Sequence, residues 1–137
     1  MSIGLDGTGR RICFALLLAV LSSSVAAKRT MVHVEEEFDA YVDPETIQRS
    51  GSVARMWVLH DYNTRHTYLK WNYWSQMSLN EFDCKDKRSQ TLFYSYHAGQ
   101  MGGGEVIVNG PLLPGLWAPV PPGSAVEKFW KIACSGK

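Results

Sequence analysis

Apolar and polar positions alternate most cleanly from Val53 to Tyr62. Val53, Trp57 and Leu59 share one face with Arg55 among them, and Met56, Val58 and His60 share the other. Apolar side chains on both faces predict a central strand covered at least in part on both sides. Residues 30–40 read as one strand whose edge is charged by Glu35, Glu36 and Glu37. Asp43 followed by Pro44 fits a turn or a single helical turn, with the Asp as cap. Gly51-Ser52 interrupts the chain, and Asn63-Thr64-Arg65 reads as a polar turn. An aromatic segment, 68–77, follows. In the next strand, 79–84, Phe82 and Cys84 face one side while Glu81 and Asp83 face water. Lys85-Asp86-Lys87-Arg88 makes a charged hairpin connection to a strand over 89–97. Gly99 and Gly102 to Gly104 form a flexible turn before a short strand over 105–108. Five prolines between Pro111 and Pro122 require an extended segment outside any central ladder, pinned by Trp117. The chain then carries a capping box, Ser124-Ala125-Val126-Glu127. Val126, Phe129, Trp130 and Ala133 recur at i, i+3, i+4, i+7 as one apolar helix stripe. The pattern predicts an α+β fold: an antiparallel sheet of about five strands with a C-terminal helix packed on it.

Composition narrows the class. At 137 residues, 45% hydrophobic and 20% charged, the chain forms one packed domain. A net charge of +1 excludes a strongly basic nucleic-acid binder. Residues 1–27 have the form of a secretory signal peptide. Arg10 and Arg11 precede ten apolar residues, Ile12 to Leu21, and Ser24-Val25-Ala26-Ala27 offers small residues for cleavage. The apolar run is shorter than the roughly 20 residues of a spanning helix, so residues 28–137 form an exported domain that is not transmembrane after cleavage. Cys13 sits at the front of the run instead of following it, which is not the lipoprotein pattern.

Cleavage leaves Cys84 and Cys134. Two cysteines in an exported chain are most simply one disulfide, and the alternative of two reactive thiols lacks a C-x-x-C spacing. Cys84 lies beside Phe82 on the inward strand face and Cys134 on the helix stripe, so they meet when the helix docks. The bridge closes a loop of about 50 residues, which the chain-entropy model values at about 4 kcal/mol.

Candidate chemistry is sparse. His60 and Asp61 alternate to opposite faces, and His66 follows the polar turn, so they do not form a zinc set. His97, Met77 and Met101 are soft copper-ligand types at irregular spacing. Gly102-Gly103-Gly104 lacks the Lys-Ser/Thr of a phosphate loop. Ser95 lies two residues from His97 without a nucleophile-elbow motif. No cofactor and no enzymatic activity are expected. The interaction features are stronger: the cations Lys85, Lys87 and Arg88 at a hairpin tip, and Tyr68, Trp71, Tyr73 and Trp74 as residue types that anchor interfaces.

An ordered set of weak motifs covers nearly the whole exported domain. It comprises Asp43 with Ile47, Val53-Ala54-Arg55-Met56-Trp57-Val58-Leu59 with Asp61-Tyr62, and Glu81-Phe82-Asp83-Cys84. Met101-Gly102-x-Gly104, Trp117, Pro122-Gly123-Ser124, Glu127, Trp130-Lys131 and Cys134 complete it. In order and spacing the set resembles the surface-adhesin protein E domain of Gram-negative bacteria. The resemblance implies an exported, non-catalytic, sheet-rich binding domain with a Cys84–Cys134 bridge. It implies protein partners, among them host matrix or serum proteins, and the capacity to form a homodimer. The chain departs from the family in lacking a lipidation cysteine and in its aromatic segment around Trp71 and Trp74. Location is thus either the cell surface or the periplasm. Two other readings are a soluble periplasmic inhibitor or envelope-stress protein, and a small metal carrier or hydrolase that uses the histidines.

Overall fold

The computed structural model describes residues 28–135; residues 1–27, with the expected signal peptide, lie outside the described residues. Eight strands form one antiparallel sheet: β1 (Thr30–Val34), β2 (Phe38–Val42), β3 (Gln48–Ser50), β4 (Val53–Tyr68), β5 (Trp71–Asp83), β6 (Arg88–His97), β7 (Val106–Pro111) and β8 (Ala118–Pro119). Helix α1 (Ala125–Ser135) follows. The order is β1-β2-β4-β5-β6-β7, with β3 sharing the β2 edge of β4 and β8 sharing the β7 edge of β6.

The count of about five strands is corrected to eight among the described residues, chiefly because the short β3 and β8 pair with β4 and β6, and three other segments are redrawn. Glu35, Glu36 and Glu37 are not a charged strand edge. They turn the chain between β1 and β2, closed by Glu35 N–H donating to the Phe38 carbonyl at 2.9 Å. Asn63-Thr64-Arg65 is not a turn: β4 runs through it with a register irregularity and pairs on to Tyr68. The 68–77 and 79–84 segments are one strand, because β4 pairs along all of β5. The real turn is Leu69-Lys70, where Leu69 takes φ 53.

The expectation for the middle of the chain otherwise holds. Asp43 caps a 3-10 turn, Pro44–Thr46, by accepting from the Glu45 N–H at 3.2 Å. On one face of the sheet Ala40, Val42, Ala54, Met56, Val58 and Phe82 pack against Ala125, Phe129 and Ala133 of α1. The helix starts where the capping box places it. Ser124 Oγ accepts from the Glu127 N–H at 3.1 Å, while the Glu127 carboxylate reaches back to the Gly123 N–H at 3.3 Å, one residue earlier than the usual box. Cys84 and Cys134 form the bridge, with Cα atoms 5.6 Å apart.

Glu81 and Asp83 do not face water; they are 8% and 7% exposed. Arg55 Nε donates to Glu81 at 2.7 Å, and Gln90 Nε2 donates to its other oxygen at 2.8 Å. Asp83 accepts from Arg88 at 2.7 Å and from the Lys85 and Asp86 N–H groups at 3.0 Å each. A buried carboxylate is tolerated where hydrogen bonds replace its water, and both satisfy that condition. The proline segment is extended as expected, yet Ala118 and Pro119 do pair with the outer edge of β6.

Candidate binding surface

The β5–β6 connection carries the three predicted cations, and the structure uses them differently. Lys87 Nζ donates to Glu127 at 2.7 Å and sits 5.2 Å from the Trp130 ring. Arg88 pairs with Asp83 and lies 5.4 Å from the Trp117 ring, so Trp117 does pin the proline segment. Trp130 Nε1 donates to the Asp83 carbonyl at 2.9 Å. Thus Lys87 and Arg88 tie helix and proline segment to the sheet, and Lys85 is left exposed. The ion pair with Lys87 brings Glu127 down to about 2, and the Arg88 hydrogen bond lowers Asp83.

Trp71 and Trp74 lie at the opposite end of β5. Strand β2 pairs with β4 as far as Tyr62, and β6 pairs with β5 only as far as Ser75. Beyond those limits, residues 66–73 pair only with each other as a projecting ribbon. Trp71 is at its tip and exposed. Trp74 is half-buried beside Ala98, Gly99 and Gln100. The structure therefore does not bring the predicted cations and tryptophans together.

Sequence reasoning singled out Tyr68 and Tyr73 with the tryptophans but missed Tyr62, Tyr94 and Tyr96, which lie between them and the cations. α1 reaches His60 through Phe129, whose ring meets the imidazole edge-on at 5.8 Å. Beyond His60, Tyr62, Tyr73, Tyr94 and Tyr96 form a half-buried cluster with His66 and Tyr68. Tyr73 and Tyr96 stack at 4.3 Å with planes 6° apart, and Tyr62 donates to Gln76 at 3.0 Å. Burial, then the neighbouring Tyr73 and Tyr96, pushes Tyr62 up to about 12; Tyr73 and Tyr96 are raised by burial too. Tyr62, Tyr73 and Tyr96 therefore stay neutral donors at physiological pH. The tyrosine spacing at 94 and 96 was a signal in the sequence, but Tyr62 and Tyr73 join it only through strand pairing.

The histidines are spread over both faces. His60 lies between Phe38, at 4.9 Å, and Phe129, while Asp61 accepts from the Met101 N–H at 2.6 Å. Burial brings His60 down to about 4. Ser95 and His97 are buried 2.8 Å apart, but the other ring nitrogen, Nδ1, has no partner among the described residues. A catalytic histidine is held by such a partner, so this pair lacks the orienting group of a nucleophilic triad. Met77 Sδ lies 3.7 Å from Arg29, whose Nη1 donates to the Met101 carbonyl at 2.8 Å. Gly102, at φ 72, closes this loop onto β5: a Cβ there would lie 2.9 Å from Met77 Sδ.

A family model, surface-adhesin protein E, matches residues 30–135. The chain belongs to that family. No curated protein matches it. Among solved structures it is similar to Haemophilus influenzae protein E, at 11% identity and a TM-score of 0.55, covering 78% of this chain and 93% of that one. A second structure, protein E from non-typeable Haemophilus influenzae, gives 10% identity and a TM-score of 0.51, covering 80% of this chain and 86% of that one. At such identity the likeness is one of fold. Membership in the surface-adhesin protein E family implies an exported, surface-adhesin-like protein. Among the described residues no helix is long and apolar enough to cross a membrane.

Proposed function

We propose that residues 28–137, released by removal of residues 1–27, form an exported adhesin-like domain that acts by protein–protein contact. The observation that carries this reading is the tyrosine face. Tyr62, Tyr73, Tyr94 and Tyr96 present flat, semi-rigid rings with hydroxyl groups where α1 no longer covers the sheet, with Trp71 and Trp74 on the same strand as Tyr73. Tyr and Trp dominate the energetics of protein interfaces because they bury much area at low entropic cost. Host matrix and serum proteins are the partner class that the family supports, with Lys85 as a separate exposed cation and self-pairing into a homodimer as a further mode. Binding of the processed protein to immobilised matrix and serum proteins tests this. Tyr96→Ser with Trp74→Ser should weaken a captured partner at least tenfold while circular dichroism stays native. Absence of any protein partner, or unchanged capture by the double variant, would refute it.

A further inference from the structure

The ribbon tip combines basic and exposed apolar side chains without a nearby acidic residue in its own sequence. From Tyr62 through Asn80 there is no Asp or Glu, while Arg65, His66 and Lys70 are basic. At the tip Leu69 is 80% exposed, Trp71 49% and Tyr68 37%. Leu69 occupies the first central position of the turn at φ 53, a left-handed conformation natural to Gly or Asn and unfavourable for Leu. Nothing in the fold covers its side chain, so neither backbone geometry nor core packing accounts for a leucine there. Strain kept at an exposed apolar position points to a contact outside the molecule.

We propose that this tip docks on an anionic phospholipid surface, a role beyond the protein-binding reading. The order of side chains along the ribbon matches the layers of a bilayer. Leu69 leads, with Tyr68 and Trp71 beside it, as ring types that favour the boundary between headgroups and acyl chains. Lys70 folds back to 5.0 Å from the Trp71 ring, its stem on apolar surface and its ammonium directed to the phosphates. Arg65 follows three residues above Tyr68, about 10 Å along an extended strand, so it meets phosphate when Leu69 enters the acyl boundary. The absence of acidic residues over this stretch supplies the charge complementarity to an anionic leaflet that a neutral one lacks.

Vesicle flotation of the processed protein tests the assignment. Binding is expected on phosphatidylethanolamine–phosphatidylglycerol vesicles, at least tenfold above phosphatidylcholine vesicles and reduced by added salt. Leu69→Gly relieves the turn, so it should keep or raise the melting temperature while lowering vesicle binding at least tenfold. Lys70→Gln should cost about fivefold. No vesicle binding, equal binding to both vesicle types, or undiminished binding by Leu69→Gly would each overturn the proposal. Capture of a soluble protein through Leu69 without vesicle binding would also overturn it and return the tip to protein contact.

Discussion

His60 shows how a single side chain acquires a property from its surroundings. Strand alternation places it inward, and there Phe38 and Phe129 flank it while its Nδ1 has no partner among the described residues. Burial, opposed by Glu35 and assisted by His33, holds it down to about 4. In the unfolded chain the same imidazole titrates near 6.5. Its folded value is depressed, so the stability it permits is complete above about pH 6.5 and declines as pH falls toward 4. The full loss is about 3 kcal/mol. His97, lowered by burial and by Arg29, acts in the same direction. Melting curves from pH 7 to pH 4 should fall more steeply for the native chain than for His60→Gln; parallel curves would show that His60 does not carry the effect. The Glu127 carboxylate, at about 2, behaves as an acid does: its contribution is present above the ordinary carboxylate range and is lost as pH drops toward 2.

At the scale of elements, α1 is held to the sheet by the Cys84–Cys134 bridge, the Trp130–Asp83 hydrogen bond and the Lys87–Glu127 ion pair. Between the two cysteines lie the charged hairpin, the glycine loop and the proline segment. Pro111 to Pro119 is largely exposed and touches the body mainly through Trp117, the short β8 pairing and Gly115 N–H donating to Gln90 at 2.9 Å. Cys134→Ser should cost about 2–5 kcal/mol, with limited proteolysis cutting the proline segment first. Unchanged melting on reduction, or first cuts elsewhere, would show that the bridge does not organise this part of the chain. The helix and its cap were legible because their signals are local: a hydroxyl and a carboxylate three residues apart, followed by an apolar stripe. The turn at Leu69-Lys70 was not legible, since it lacks turn residues, whereas Asn63-Thr64-Arg65 has turn chemistry but is held extended by its neighbours. Pairing with β5 on both sides, at Asp61 and His66, and the Asn63 N–H donating to the Glu37 carbonyl at 2.9 Å outweigh the local preference of three polar residues.

For the whole molecule, the first checkable consequence lies at the N-terminus. If residues 1–27 are a signal peptide, intact mass of the exported protein should correspond to a start at Ala27 or Lys28 without lipid; a start at Met1 or a lipid-bearing Cys13 would contradict it. One disulfide, a sheet with a C-terminal helix and membership in the adhesin family were readable because each rests on short-range pattern: two cysteines outside the N-terminal apolar run, period 2 giving way to period 3.6, and an ordered motif set. Tertiary structure alone decided which groups share a surface. It buried Glu81 and Asp83 by bringing Arg55, Gln90 and Arg88 to them, turned Lys87 and Arg88 inward to the helix and proline segment, and gathered tyrosines from β4, β5 and β6 into one face. Most of these groupings depend on strand register between separate segments of the chain, and register is set by the summed burial of a whole face, which no local window contains.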